Sequence, residues 1–383
     1  MSTRHLFSYF FLFVLMGCSP THYTVIRNVD LFDGTEVFHQ VNLVFSDSII
    51  TDINKKKKFG KKALIIEGKG MTIVPPLLNA HVHVREPNNL KEAQQFGIFG
   101  LLDMFSTDRR ANYLRSYNDS LYHAHFYSSN VGATVPGGHG TQFRVQIPTV
   151  SSDSAAQWFV QERISEGADY IKLTQEHSMA KLSLTQIKSI VEAAHQSGKK
   201  VVGHISSLSD ALDLVSRGVD GLAHVWYRDG SKATARDLQA MKEQGLFIIP
   251  TLSVIKRLSE DATQRGIHDR FLPFSDILAE VQKAQQAGLT ILAGTDAPNF
   301  GMNYHDQLFE ELILLTDAGL SALDALQAST SNIYDQFNLK EFSNLQIGGT
   351  ASFLLIEGKP LDHIEDIKKP KRIWKSGLEL RGT

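Results

Sequence analysis

Six residues of metal-ligating or proton-transferring type stand at the ends of predicted strands, namely His81, His83, Lys172, His204, His224 and Asp296. His81 and His83 are two residues apart on one strand, so their side chains share a face. Two imidazoles on one face can chelate a divalent metal, and imidazole together with carboxylate suits Zn, Mn, Fe or Co. Six candidate ligands are too many for one tetrahedral ion, so the set predicts two metals.

An alternation of apolar strands and amphipathic helices from about residue 74 supplies these strand ends. The pattern predicts eight strands, at 71–83, 97–105, 123–131, 168–174, 200–205, 221–225, 246–251 and 289–296. The clearest predicted helices cover 184–195, 210–216, 235–243 and 274–286, the first with a capping box at Ser183 and Gln186. Eight such units in about 230 residues predict an α/β fold, a (β/α)8 TIM barrel whose strand ends converge at one mouth. An open doubly wound sheet would need a phosphate-binding glycine fingerprint after an early strand, and the sequence has none.

Short β-rich segments flank the barrel pattern on both sides. They cover 24–30, 41–45, 48–53 and 63–67 before it, and 348–358 and 371–380 after it. The simplest architecture pairs the two groups in a small β-sandwich domain built from both termini. The predicted domains are therefore 18–73 plus 343–383 for the sandwich and 74–342 for the barrel.

A second His-x-His pair, His123 and His125, provides an internal comparison. This pair opens its predicted strand, whereas His81 and His83 end theirs. Active sites of this fold lie at the carboxyl ends of the strands. We therefore expect His123 and His125 to have structural roles near the opposite face of the barrel.

The amino-terminal segment predicts export. Arg4 precedes an apolar run from Leu6 to Met16, which is too short to span a bilayer but typical of a signal peptide over residues 1–17. The string Leu15-Met16-Gly17-Cys18 resembles the bacterial lipoprotein box, and this resemblance implies lipid attachment at Cys18. It places the protein in the bacterial cell envelope, at the outer membrane or the periplasmic face. An incidental cysteine in a standard signal peptide is the alternative.

Charge and cysteine content limit the partners. The 39 Lys and Arg residues against 41 Asp and Glu residues give a net charge of −2, which argues against nucleic acid as the main partner. The single cysteine excludes an intrachain disulfide. Although the net charge is close to zero, lysines are concentrated at 55–58, 61 and 62. This lysine run is either a solvated hairpin tip or a contact for anionic lipid heads.

The order of these residues along the chain resembles that of the amidohydrolase superfamily. The segment Pro75-Pro-Leu-Leu-Asn-Ala-His-Val-His83 is similar to its strand-1 motif, and Leu292-Ala-Gly-Thr-Asp-Ala-Pro298 to its strand-8 motif. The segments 137–140, 167–172 and 305–312 resemble the imidazolonepropionase and prolidase-like branch. The chain departs from the family pattern at three positions, which carry Pro76 for Gly, Asn79 for Asp and Ala223 for Glu.

The resemblance implies a role for each ligand. Lys172 would be carboxylated and bridge two divalent metal ions, expected to be Zn. His81, His83 and Asp296 would hold one ion, with His204 and His224 on the other. A hydroxide shared by the metals would attack a carbonyl, with Asp296 as the general base. A strand-end lysine facing solvent, or a mononuclear site without it, remains the alternative for Lys172.

Four further residues are candidate substrate contacts. His139, in a glycine-rich loop, could act in catalysis by hydrogen bonding to the substrate carbonyl. Tyr227 could line the pocket, and His305 either contacts substrate or caps a helix. Arg85 lies two residues after His83 and could bind a substrate carboxylate, or it pairs with an acid such as Glu86.

The predicted function is hydrolysis of amide-type C–N bonds in a dipeptide or N-acyl amino acid that carries a free carboxylate. A cyclic amidohydrolase is an alternative, because residues 81–87 resemble the strand-1 motif of dihydroorotases and hydantoinases. A deaminase is another, and its mononuclear form would not need Lys172. A non-catalytic binding lipoprotein would predict a broken ligand set. A homo-oligomer is left open.

Overall fold

The computed structural model describes residues 23–143, 145–267, 271–369 and 371–380. Within these residues the chain forms a (β/α)8 barrel and a sheet domain built from both termini, which confirms the predicted fold. The predicted signal peptide and Cys18 lie outside the described residues. In the described part of the chain, no helix is both long and apolar enough to cross a bilayer.

The strands and helices follow one another in the order that the sequence pattern indicates. The strands are β1 (Tyr23–Phe32), β2 (Val37–Ser46), β3 (Ile49–Asn54), β4 (Ala63–Glu67), β5 (Met71–Val74), β6 (Leu77–Val82), β7 (Ile98–Asp103), β8 (His125–Ser128), β9 (Ile171–Thr174), β10 (Val201–His204), β11 (Gly221–Ala223), β12 (Phe247–Ile249), β13 (Thr290–Ile291), β14 (Phe353–Glu357), β15 (Lys371–Lys375) and β16 (Leu378–Leu380). The helices are α1 (Pro87–Gln95), α2 (Asp108–Arg115), α3 (Asp153–Ser165), α4 (Leu184–Gln196), α5 (Leu208–Val215), α6 (Ala235–Glu243), α7 (Leu252–Gln264), α8 (Phe274–Gln286), α9 (Asp306–Asp317), α10 (Ala322–Ala328) and α11 (Ser331–Phe337).

The terminal strands form one sheet in the order β16-β15-β14-β5-β1-β2-β3, with β4 also paired to β1. Strand β14 from the carboxyl-terminal part pairs antiparallel with β5 from the amino-terminal part. The sheet encloses an apolar core that includes an aromatic cluster, in which Phe353 stacks on Trp374 and meets Phe45 edge-on. Burial of these side chains joins the two ends of the described chain.

Two predicted strands are each divided into two strands in the structure. The strand predicted at 71–83 is broken at Pro75 and Pro76, so that β5 belongs to the terminal sheet and β6 starts the barrel. Proline has no N–H to donate to a strand partner, which explains the break. The strand predicted at 371–380 is a hairpin, because Ser376 and Gly377 adopt left-handed backbone angles and turn the chain between β15 and β16.

The barrel consists of two groups of parallel strands, β6-β7-β8 and β9 to β13. Isolated parallel bridges between Ala133 and Leu173 and between Val82 and Ala297 join the groups. The described part of the chain thus contains the eight predicted barrel strands, although each is shorter than predicted. The interior below the mouth is filled by apolar side chains, including Leu78, Val202, Phe247 and Leu292.

The helices on the outside of the barrel agree well with the sequence pattern where caps are clear. Helix α4 has the predicted capping box between Ser183 and Gln186, and α6 and α8 have the predicted bounds. Helix α5 begins two residues earlier than predicted, because Ser207 accepts a hydrogen bond from the Asp210 N–H and caps it. Helix α7, which is not among the helices that the sequence pattern predicts, lacks a side-chain cap from its own amino end.

Candidate active site

The carboxyl ends of β6 and β13 bring His81, His83 and Asp296 together. One carboxylate oxygen, Asp296 Oδ1, lies 3.0 Å from His81 Nε2 and 2.8 Å from His83 Nε2. The Asp296 N–H donates to the carbonyl of His81 at 2.8 Å, which joins the two strand ends. The arrangement presents two imidazoles and one carboxylate to the mouth of the barrel.

His204 and His224 face each other from the ends of β10 and β11. His204 Nδ1 lies 3.0 Å from His224 Nε2. The other ring nitrogen of each histidine has a partner behind it: His204 Nε2 lies 3.2 Å from Glu176 Oε2, and His224 Nδ1 lies 2.6 Å from Thr251 Oγ1. Metal-binding histidines are commonly held in this way, with one nitrogen toward the ion and the other bonded to a supporting group.

The two groups of ligands form one cluster. The ring centroids of His81 and His224 are 5.0 Å apart, and potential ligand atoms of His81, His224 and Asp296 all lie within 4.8 Å of one another. Potential ligand atoms of His139, Glu176 and His204 form an adjacent group within the same distance. The structure therefore brings together the five predicted histidine and aspartate ligands.

Lys172, on β9, is 4% exposed. Its Nζ has no hydrogen-bond partner among the described residues. Burial lowers the pKa of Lys172 to about 7, although Asp296 and Asp103 oppose the shift. At neutral pH a large fraction of this amine is therefore uncharged, which is the form that can react with CO2 to give a carbamate.

The protonation states of the other ligands suit a metal. Burial lowers the pKa of His81 to about 3 and holds that of His224 well below its usual range. Burial alone would raise the pKa of Asp296, but the charges and hydrogen bonds of His81 and His83 hold it well below its usual value. Neutral imidazoles and an ionised carboxylate are the forms that coordinate divalent cations.

These residues fit a divalent metal centre of the kind predicted. A buried lysine nitrogen without a hydrogen-bond partner is costly in an apolar interior, which is explained if the amine is modified and coordinates an ion. Potential ligand atoms of His81, His224 and Asp296 lie at one candidate position, and those of His139, Glu176 and His204 lie at a second. Lys172 is the one predicted ligand whose role depends on modification.

Three residues of the site have strained backbone angles. His224, Thr251 and Asp296 have φ angles of 76°, 53° and 61°, in the left-handed region that non-glycine residues rarely adopt. Such conformations cost about 1–3 kcal/mol each and persist where the surroundings impose them.

Gly294 lets the chain after β13 pass close to β6, because a Cβ there would lie 2.9 Å from the Cβ of His81.

Asn79 replaces the aspartate of the family pattern and acts as a brace between strands. Its side chain is fully buried, donates to Thr295 Oγ1 at 2.9 Å and accepts from the Thr295 N–H at 3.2 Å. The amide supplies both a donor and an acceptor to the residue before Asp296, which a carboxylate could not do. The difference therefore affects the support of Asp296 rather than the ligand set.

The structure places the four predicted substrate contacts in surroundings that differ from one another. His139 stacks on His204 with ring centroids 4.3 Å apart, and the Tyr227 side chain is buried against Phe271. Arg85 is exposed and lies beyond the end of β6, so strand alternation does not orient it. The preceding strand end is held by Tyr304, whose hydroxyl donates to the His83 carbonyl at 2.9 Å.

His305 is not brought together with the other histidines. It occupies the position before α9, where its ring stacks on Phe96 with centroids 3.6 Å apart. Its Nδ1 lies 3.5 Å from a carboxylate oxygen of Glu92 on α1. The structure thus places His305 between α1 and α9, in a packing and ion-pairing environment.

The comparison pair of histidines lies at the opposite end of a barrel strand. His123 precedes β8 and its Nδ1 is 2.8 Å from Ser120 Oγ. His125 opens β8, where its Nε2 is 2.9 Å from the Asn118 side chain. Both positions agree with the structural roles expected from the sequence.

Sequence reasoning missed three residues that support the histidines. Glu176 follows β9, and Thr251 follows Pro250, which comes directly after β12. Glu311 on α9 accepts from the N–H groups of Leu252 at 2.9 Å and Ser253 at 2.7 Å, and so caps α7. This cap leaves the Thr251 hydroxyl available to His224. The strand-end positions of Glu176 and Thr251 were a usable signal, whereas nothing in the sequence pairs Glu311 with α7.

We expect Thr251→Val to weaken metal binding by roughly 10- to 100-fold, because His224 loses the acceptor that fixes its ring. Thr251→Ser keeps the hydroxyl and is the matched control, with near wild-type affinity expected. Titration of the metal-free protein with Zn²⁺ and a competing chelator measures this. A Val variant with wild-type affinity would show that Thr251 does not orient His224.

Comparison with known proteins gives consistent matches. The amidohydrolase family model matches residues 72–379. The ochratoxinase of Aspergillus niger is 26% identical over 216 residues, a match that covers 54% of this chain but only 43% of that protein. The chain thus matches under half the length of this curated relative.

Similarity to solved structures extends over nearly the whole chain. A Xaa-Pro dipeptidase with bound methionine in its active site superposes with a TM-score of 0.79 at 20% identity, covering 94% of this chain and 100% of that one. Molinate hydrolase superposes with a TM-score of 0.77 at 14% identity, covering 94% and 95%. At these identities the similarity shows a shared fold.

Proposed function

Because this chain belongs to the amidohydrolase family, we propose that it is a metal-dependent hydrolase of amide-type C–N bonds. The observation that carries the proposal is the cluster at the barrel mouth, where ligand atoms of His81, His224 and Asp296 lie within 4.8 Å of one another beside the buried amine of Lys172. In the proposal His81, His83, His204, His224, Asp296 and a carboxylated Lys172 would hold two divalent ions, with Zn as the expected metal. Bound divalent ions would supply Lewis-acid activation of water and of the substrate carbonyl.

The residues of the chain have distinct roles in this proposal. Asp296, ionised beside His81 and His83, accepts the proton of the attacking water and returns it to the leaving nitrogen. His139 has a pKa lowered to about 3 by burial, so its ring stays neutral and donates an N–H to the carbonyl oxygen. Tyr227, whose pKa burial raises to about 12, remains a phenol that can donate to substrate.

We propose a dipeptide or an N-acyl amino acid with a free carboxylate as the substrate. The similarity of the fold to a Xaa-Pro dipeptidase supports this class. The exposed guanidinium of Arg85, beyond the end of β6, is a candidate partner for the carboxylate.

If Arg85 binds that carboxylate, Arg85→Met should lower kcat/KM by roughly 100-fold or more, as the loss of a charged hydrogen bond implies. The measurement compares a carboxylate substrate with its methyl ester, which should lose far less. Equal losses for both substrates would show that Arg85 only supports the loop after β6.

The burial of Lys172 beside both histidine groups favours this function over the deaminase alternative. A mononuclear deaminase would not require a lysine whose buried Nζ has no hydrogen-bond partner among the described residues. The alternative of a cyclic amide substrate rests on the motif that contains Arg85. A substrate screen distinguishes it from hydrolysis of a dipeptide or an N-acyl amino acid. The test is a screen of metal-quantified protein against dipeptides, N-acyl amino acids, lactams and lactones.

We also propose lipid attachment at Cys18 and a location at the outer membrane or periplasmic face of a bacterial envelope. The support is the string Leu15-Met16-Gly17-Cys18 after an apolar run. Metabolic labelling with a fatty acid should tag the wild-type protein and leave Cys18→Ala unlabelled. Equal labelling of the two proteins would refute the attachment site.

A further inference from the structure

The lysine loop, residues 55–62 between β3 and β4, concentrates positive charge on a nearly neutral protein. It contains six lysines and no acidic residue, whereas the whole chain has a net charge of −2. All six lysines are exposed. Among the described residues only Lys56 pairs with a carboxylate, that of Asp52 at 2.8 Å. The loop therefore carries five unpaired positive charges.

Strand β4, which directly follows this loop, exposes apolar side chains. Leu64 is 63% exposed and Ile65 is 45% exposed, in a strand that pairs only with β1. Exposed aliphatic side chains beside lysines are a combination that suits the interface of an anionic bilayer, where charge is attracted and apolar groups enter the headgroup region.

The loop also lies beside the point where the described chain begins. The Gly60 N–H donates to the Tyr23 hydroxyl at 2.9 Å, and Tyr23 pairs with Ala63 in the parallel register of β1 and β4. Tyr23 lies five positions after Cys18, a separation that an extended chain spans in at most about 18 Å. Attachment at Cys18, which is part of the proposed function, would therefore keep the start of β1 and this loop within about that distance of the lipid surface.

From these observations we propose that the lysine loop and strand β4 form a docking surface for anionic lipid headgroups. The lysines supply the attraction, which acts only within about a Debye length of the membrane, roughly 8 Å at physiological salt. Leu64, the more exposed of the two aliphatic side chains, then contacts the headgroup region. The surface orients the barrel on the membrane, and it does not depend on the proposed hydrolase activity.

The test measures binding of residues 19–383, which lack both the apolar run from Leu6 to Met16 and Cys18, to vesicles of phosphatidylcholine with or without phosphatidylglycerol. We expect binding only with phosphatidylglycerol, weakening as salt rises. Adding Lys57→Gln, Lys58→Gln and Lys61→Gln should reduce partitioning by roughly 100-fold, about fivefold per lysine. The matched control replaces three exposed lysines elsewhere, Lys188, Lys242 and Lys359, and should bind like its parent.

Equal partitioning of the two triple variants would overturn the proposal, as would binding that ignores salt or phosphatidylglycerol. Retention on single-stranded RNA without a preference for phosphatidylglycerol would overturn it in favour of a nucleic-acid partner. Because the parent protein lacks Cys18, these outcomes are independent of lipid attachment. Zinc content and unfolding temperature, unchanged in both triple variants, exclude misfolding as the cause.

Discussion

Asp296→Asn is expected to lower kcat by about 10²- to 10⁴-fold, the usual contribution of a general base. The amide can still offer an oxygen toward His81 and His83, so at least part of the metal and the folded state should remain. What is lost is the group that takes the proton, since an amide does not accept one at neutral pH. Steady-state kinetics together with metal analysis measures both effects.

The matched control for Asp296→Asn is the same change at the opposite end of the barrel. Asp220 lies before β11, where it accepts from the Val201 N–H at 2.7 Å and pairs with His195 at 2.9 Å. Asp220→Asn should reduce stability without a comparable loss of kcat. If Asp296→Asn retains more than a tenth of the wild-type kcat, another group carries the proton.

Lys172→Ala is expected to remove at least one of two bound metals and, with it, most of the activity. Lys172 is the ligand proposed to be shared, so its loss affects both positions. Metal analysis of purified protein should show close to two ions per wild-type chain and one or fewer in the variant. Mass spectrometry under native conditions should also detect the carboxyl group on the wild-type lysine.

Lys375→Ala is the control for loss of a buried lysine as such. The pKa of Lys375 is lowered to about 8 by burial, but its Nζ donates to the carbonyls of Ser120 and His123, away from the proposed ligands. This variant should lose stability and keep its metals. A Lys172→Ala protein with full metal content and full activity would exclude the bridging carbamate.

Strand ends were predictable from the sequence because the barrel repeats one geometric rule. Parallel strands in a closed barrel direct their carboxyl ends to one mouth. The alternation of strands and helices along the chain was therefore enough to assign His204 and His224 to one cluster. The same reasoning separated His81 and His83 from His123 and His125. The terminal sheet followed from β-rich segments at both ends of the described chain.

Contacts between distant elements could not be predicted in this way. The carboxylate of Glu311 caps α7 across 59 positions of sequence, and no local signal announces such a contact. The predictions for Arg85 and His305 extend a strand pattern or a motif past the end of the strand or helix to which it applies. Strand β6 ends at Val82, before Arg85, and stacking on Phe96 decides the surroundings of His305.

We propose that metal ions held at the barrel mouth enable hydrolysis of amide-type C–N bonds. The most direct test measures amine release from a panel of dipeptides, N-acyl amino acids and cyclic amides, before and after removal of metal by a chelator. We expect release by the metal-loaded protein, loss of release after chelation, and recovery when divalent metal is restored. Amine release that continues unchanged in metal-free protein, or its absence for every member of the panel with fully loaded protein, would contradict it.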